Sequence, residues 1–460
     1  MTMDTPKLFF ILFSLLVFGL MPFIMKDARR YYLGMACFMH VFCTGWIFYH
    51  YTGLMLADLP VLGLFAYSLF SGRRIRFFIM PIALPMLGII LVGSLSAAWA
   101  KQPGWALAEA SKYVRGYLLV VCLYHNIQSI RDLRFVLNCM LSGLVVEAVI
   151  CIIQYKYGTI GIWFLGERMH YVAWRATGTF SVPSFLANYL ALTISVAFRM
   201  FVFYRPQKIL SSVLYGAAGI LGFGAFFSTY ARGPWLSFLA GMAVVFIVSL
   251  MHSRFKAKSP WGMPVLLLFF VAFAFRYHTP IMDQFGTARR SSYEVRFVHF
   301  EIAKRMIRDR PFQGVGMGNY ELNVQNYLTT EERYNVMVAV YLGMVHNSYL
   351  LLSAEMGLPG GILFAFWFIS ILITIAQILK TRLNHPLIIN FTLGILGGIV
   401  AMAIFLVSSP DIHEYSLIYQ ASLFCGILLA ERNLLKMAAV NRSGELLKGN
   451  RVESASKSNA

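Results

Sequence analysis

Six residues in this sequence have the types and settings that phosphate or proton chemistry would use: Arg175, Arg232, Arg289, Arg290, Arg296 and His346. Arg175 stands in Arg175-Ala176-Thr177-Gly178-Thr179-Phe180. Arg232 stands in the short connection Ser228-Thr229-Tyr230-Ala231-Arg232-Gly233-Pro234, and the other three arginines open a long loop. A planar guanidinium with five donors matches a phosphate bidentately. Several of them converging beside an apolar phase would suit an anionic lipid headgroup. The other reading of any single one is an arginine that snorkels, or that pairs non-specifically with lipid phosphate. Arg232 fits that reading least, because it breaks a tight turn on the side of the membrane where positive charge is disfavoured. His346 begins His346-Asn347-Ser348-Tyr349, where the loop meets a helix. It reads either as an interfacial anchor or as a general base, since neutral imidazole takes a proton near pH 7. Glu355 lies nine residues on, off the face one turn away, and is not assigned to orient it.

Other candidates have more than one reading. Gly314-Val315-Gly316-Met317-Gly318-Asn319 is glycine-rich, but no Lys-Ser/Thr follows and no strand precedes it, so it reads as a turn rather than a phosphate cradle. Asp411, His413 and Glu414 form either a metal site or a hydrogen-bonded turn. Glu147, inside an apolar run, is either a proton site or a partner for a neighbouring helix. The long loop carries seven acidic residues and no Asp-x-Asp-like pair beside its arginines, so no metal and no cofactor are expected.

The elements that must position these residues are helices in a membrane. Of 460 residues, 58% are hydrophobic and 13% charged, with a mean hydropathy of +0.66. A soluble domain is closer to a quarter charged, and a water-soluble globule could not hide this much apolar surface. Apolar runs fall near 8–25, 31–50, 54–70, 77–98, 113–127, 134–155, 184–203, 209–227, 235–251, 261–276, 355–379, 387–408 and 415–430. These predict an all-α polytopic protein of about 12–13 spans. The net charge of +19 is accounted for by basic loops on the cytoplasmic side, and no nucleic-acid motif accompanies it. The six cysteines sit apart in apolar stretches and read as small buried hydrophobes. The first run lacks a basic leader and a small-residue exit, so a retained helix is expected rather than a cleaved signal.

The chain divides into a transmembrane bundle with short outward loops (1–276), a large outward loop (277–345), C-terminal transmembrane helices (346–430) and a basic cytoplasmic tail (431–460), whose polar end from Arg442 to Ala460 is expected to be disordered. Within the loop, 293–310 reads as a helix, with Glu301 and Arg305 at i,i+4, ended by Pro311. A span at 113–127 would place the amino terminus outside.

These residues resemble the O-antigen ligase and polymerase superfamily of bacterial envelope glycosyltransferases. The resemblance rests on Arg232 with Leu236 four positions on, and on His346 with Gly357 after ten intervening residues. It also rests on Arg175 to Phe180 with Pro183, and on Arg296 leading through Pro311 to Gly314-Val315-Gly316-Met317-Gly318-Asn319-Tyr320. It covers roughly 170 to 365 closely and the remainder by hydropathy. It implies about twelve spans with a large periplasmic loop in the bacterial inner (cytoplasmic) membrane. It also implies an undecaprenyl-diphosphate-linked glycan as donor, no metal ion, and an active site facing the periplasm. A glycan or glycolipid of the lipid A-core type would be the acceptor, which places the chain in lipopolysaccharide biosynthesis. Arginines can neutralise a diphosphate leaving group without a metal, and a sugar hydroxyl needs a base. The expected reaction is therefore an inverting displacement, with His346 as base and Arg232, Arg175 and Arg289, Arg290 or Arg296 on the diphosphate. A polysaccharide polymerase or a protein O-oligosaccharyltransferase of the same superfamily stays open. A secondary transporter is the reading from another class, opposed by the lack of an inverted repeat and by a single mid-span charge, Glu147.

Overall fold

A computed structural model describes residues 27–41, 55–72, 74–158, 175–180, 182–251, 271, 289–334, 343–381 and 385–458. The described chain is helical, without a strand. Its helices are α1 (Ala28–Phe38), α2 (Asp58–Phe70), α3 (Ala83–Leu95), α4 (Pro103–Asn126), α5 (Ile130–Tyr157), α6 (Pro183–Phe203) and α7 (Ile209–Ser228). They continue with α8 (Arg232–Met251), α9 (Arg289–Asp309), α10 (Tyr320–Val324), α11 (Thr330–Tyr334), α12 (Ser348–Lys380), α13 (Pro386–Phe405) and α14 (Tyr415–Ser458). Six of them, α5, α6, α7, α8, α12 and α13, are long and apolar enough to cross a membrane. The expected spans at 8–25 and 261–276 lie outside the described residues. Helices α2 and α3 have 13 residues each, about 20 Å at 1.5 Å per residue, which is shorter than the apolar runs that contain them.

The burial pattern is that of a lipid-solvated bundle. Large apolar side chains such as Leu236, Ile220 and Ile362 face outward, while Glu147, Gln154, Glu355 and Gln420 are enclosed. Polar groups in a membrane protein are held in the bundle interior, where they find partners. Helix α13 lies between α6 and α8, and its Gly394, Gly397 and Gly398 let the backbones meet. A Cβ on Gly398 would fall 2.8 Å from the Leu192 carbonyl oxygen, and one on Gly241 of α8 would fall 2.2 Å from that of Gly397. Small residues at such crossings are how apolar helices pack without a hydrophobic driving force between them.

The long loop folds as its punctuation suggests. Helix α9 ends at Asp309, and Pro311 begins a turn in which Gly314, Gly316 and Gly318 all have positive φ. That turn seats on a break in α12. At Gly357 (φ 71°, ψ −179°) the helix opens. The Val315 and Gly316 amides then donate to the Ala354 and Glu355 carbonyls at 3.0 and 2.9 Å, and the Leu358 amide donates to Pro311 O at 2.7 Å. The expected Glu301–Arg305 pair does not form. Arg305 instead binds Glu332 of α11 through both terminal nitrogens at 2.7 and 3.0 Å, and Glu301 pairs with Lys304. A bidentate guanidinium–carboxylate contact outweighs a helix-surface pair worth a few tenths of a kcal/mol. The tail is a second difference. Helix α14 runs on to Ser458, because extending a formed helix carries no nucleation cost.

Gly357→Ala tests the break. Its dihedrals are essentially reserved for glycine, and a Cβ would stand 2.5 Å from the Phe312 carbonyl carbon. Thermal unfolding in detergent should show a loss of about 3 kcal/mol or more.

Candidate active site

Three connections at one end of the bundle build the site. Between α7 and α8 the chain reverses within Thr229–Ala231, with Tyr230 in the left-handed region at φ 50°. The Thr229 hydroxyl donates to Phe226 O and accepts from the Ala231 amide, and the Trp235 indole donates to the same Phe226 carbonyl at 3.2 Å. Arg232 therefore opens α8 on a fixed turn. The 175–180 connection lies beside it. Its Ala176 amide donates to Ser228 O at 2.9 Å, and Arg175 Nε donates to Thr229 O at 2.8 Å.

Helix α5 holds that connection from the other side. Gln154 Oε1 accepts from the amides of Thr177 and Gly178 at 3.0 and 2.8 Å, and Glu147 Oε1 accepts from Thr179 N at 2.8 Å. Gly178 has φ +59°, and a Cβ there would collide with Glu147 Oε1 at 1.9 Å. Glu147 thus binds the backbone that carries Arg175.

A cavity of about 530 Å³ opens where these connections meet the 343–347 and 406–414 segments. Arg175, Arg232, Arg296, His346 and Asp411 line it. So do Ser184 and Phe185 from the first turn of α6, and Gly233 and Pro234 from that of α8. Two helix N-termini, each a partial positive charge with unsatisfied amides, join three guanidinium groups around one space. Arg296 reaches it from α9. Arg289 and Arg290 begin that helix two turns earlier, about 10 Å away along its axis, and their side chains lie outside the described residues. Burial lowers the Arg175 pKa, and so does the nearby Arg232 charge. An anion in the cavity would be attracted to both guanidinium groups.

His346 is half-buried, and its pKa is lowered by burial first and then by repulsion from Arg296 and His299. Both causes favour the neutral imidazole. Asp411 is the carboxylate in the wall. It accepts a hydrogen bond from Ser409, and burial raises its pKa to about 7. The arrangement can hold a diphosphate and offer a proton acceptor beside it. From the sequence, Asp411, His413 and Glu414 read either as a metal site or as a hydrogen-bonded turn. In the structure Asp411 accepts from Ser409 while His413 faces Glu109 and Glu355, and no group among the described residues is arranged to hold a metal ion. The signal for Asp411 was an acidic residue after Pro410 in a short connection between apolar runs.

His413 points away from the cavity into a buried charge cluster. Its Nδ1 lies 2.8 Å from Glu109 Oε2 and its Nε2 lies 3.1 Å from Glu355 Oε2. Lys112 binds Glu109 at 2.5 Å and the His413 carbonyl at 2.7 Å. Burial opposes the imidazolium, but Glu355 and Glu109 outweigh it and raise the His413 pKa to about 10. The cluster pins the turn that presents Asp411. A folded-state pKa above the ordinary 6.5 means the charge contributes stability fully below pH 6.5 and loses it as pH rises through 10. Asp411 and Glu414 titrate near 7, so His413 is read as the difference between wild type and variant above that pH. From pH 7 to 10 the melting temperature should fall more steeply in the wild type than in His413→Gln. Below pH 7 that variant should also be less stable by about 3–5 kcal/mol, because it leaves buried carboxylates unpaired, and the deficit should shrink toward pH 10.

Residues 217–365 match the family model of the O-antigen ligase domain, the superfamily that the motifs resemble. The matched stretch contains Arg232, Arg296, His346 and the glycine turn, while Arg175 and Asp411 lie outside it. No curated protein matches the chain.

Proposed function

We propose that this membrane protein, which carries an O-antigen ligase family domain over 217–365, transfers a glycan from an undecaprenyl-diphosphate donor to an acceptor hydroxyl. The observation that carries the reading is the single cavity in which Arg175, Arg232 and Arg296 meet His346. In the proposed reaction the guanidinium groups and the N-termini of α6 and α8 hold the donor diphosphate. They stabilise the charge that develops as the bond from the anomeric carbon to the phosphate oxygen breaks. His346 takes the proton of the acceptor hydroxyl, whose oxygen attacks the opposite face of that carbon and inverts it. The site faces the periplasm of a bacterial inner membrane in this reading. A pre-activated lipid-linked donor supplies the energy there, and no metal ion takes part.

The polymerase is the second reading, since both reactions consume a lipid-diphosphate glycan. A polymerase seats two lipid diphosphates at once. Arg296 of the long loop shares its cavity with Arg175 and Arg232, which supports one diphosphate seat and an acceptor of the lipid A-core type. Gene deletion tests the choice. A ligase mutant accumulates long lipid-linked chains above a bare acceptor. A deletion strain whose acceptor carries a single repeat unit would overturn the ligase reading in favour of polymerisation.

A further inference from the structure

A second cavity of about 530 Å³ lies at the other end of the bundle. Helix α14 measures the separation. It starts at Tyr415, just after the turn that presents Asp411, and carries Arg432 and Lys436 into the wall of this second space. Seventeen residues separate Tyr415 from Arg432, about 25 Å at 1.5 Å per residue and close to the thickness of the hydrocarbon layer.

Three cations from two distant parts of the chain line this space: Arg76 from the segment before α3, and Arg432 and Lys436 from α14. Tyr124 of α4, Gln377 of α12 and Thr381 add polar groups, and among the described residues no carboxylate is in the wall. The scaffold is built rather than incidental. Arg432 donates to the Met80 carbonyl at 2.6 Å and to Gln377 Oε1 at 2.9 Å. The Arg76 amide donates to His125 Nε2 at 2.9 Å. Arg76 and Lys436 remain exposed. Beside the cations, Phe77 is 51% and Phe78 60% exposed, an apolar shelf suited to acyl chains. Cations over a polar pocket with aromatic side chains at its edge match a phosphodiester whose chains run down the outside of the bundle.

We propose that this cavity seats the headgroup of an anionic phospholipid in the leaflet opposite the candidate active site. The phosphodiester bridges Arg76 to Lys436 and ties the extended 74–80 segment to α14. The inference uses the membrane architecture and not the transfer reaction, so it stands or falls independently of the proposed function.

The test uses the full-length protein, purified in detergent and analysed by native mass spectrometry with phosphatidylglycerol or phosphatidylcholine added. The wild type should retain phosphatidylglycerol preferentially. Each basic group near an anionic surface is worth about fivefold in affinity, so Arg76→Gln with Lys436→Gln should weaken retention by about thirtyfold. Both residues are exposed, so the pair should melt like the wild type without lipid. Unchanged retention in the double variant, or equal retention of the zwitterionic lipid, overturns the proposal. Loss of retention in Arg232→Gln instead would place the lipid in the first cavity and overturn it too. Inorganic phosphate at constant ionic strength is the last arm. Stabilisation by phosphate equal to that by the lipid would identify a free anion as the ligand and overturn the lipid assignment.

Discussion

His346→Ala is expected to lower the rate of glycan transfer by about 10²–10⁴, the usual contribution of a positioned general base, while insertion and folding are retained. The side chain lines the cavity beside Arg232 and Arg296. The start of α12 does not depend on it, because Asn347 Oδ1 caps that helix by accepting from the Leu350 amide at 2.9 Å. Purified variant and wild type compared on donor and acceptor, with melting curves alongside, give the result. The pH profile sharpens it. Burial and the neighbouring Arg296 hold the His346 pKa below 6.5, so the acid limb of the rate should fall below that value. Asp411, with a pKa of about 7, is the rival base in the same wall. Full activity in His346→Ala, with an acid limb near 7, would assign the proton to Asp411.

Arg232→Lys is expected to lose about 10²–10³ in turnover, the size of effect seen when one donor to a developing negative charge is removed. Donor binding should weaken as well, because the contact exists in the ground state. A lysine keeps the charge but not the fork that spans two phosphate oxygens. The position admits little adjustment. Arg232 begins α8 directly after a turn fixed by Thr229 and Trp235, and Arg175 is held to that same turn through its Nε. A shorter-reaching or differently shaped cation would leave the diphosphate unmatched on one side. Calorimetry with a soluble lipid-diphosphate analogue, followed by turnover, separates binding from chemistry. Wild-type binding and turnover in Arg232→Lys would reduce Arg232 to a lipid-facing or structural residue.

What the sequence determined by itself was local or compositional. Apolar runs long enough to span a membrane require helices, because only a helix or a closed barrel satisfies its backbone in lipid. The Pro311 stop and the glycines at 314, 316 and 318 announced a turn, because proline and glycine act on their own dihedrals. Arg175, Arg232, Arg296 and His346 were legible as candidates, because their side-chain chemistry travels with the residue type. Which of them share a space was decided only by the tertiary structure. The cavity joins Arg175 to Asp411 through the packing of α6, α7, α8 and α13, and no spacing rule reaches that far. Partner choice followed the same division. Arg305 has a local carboxylate in Glu301 and takes Glu332. His413 finds Glu109, 304 residues earlier. Buried charges are satisfied by whatever the fold brings within hydrogen-bond reach, so their partners are a property of the packed helices.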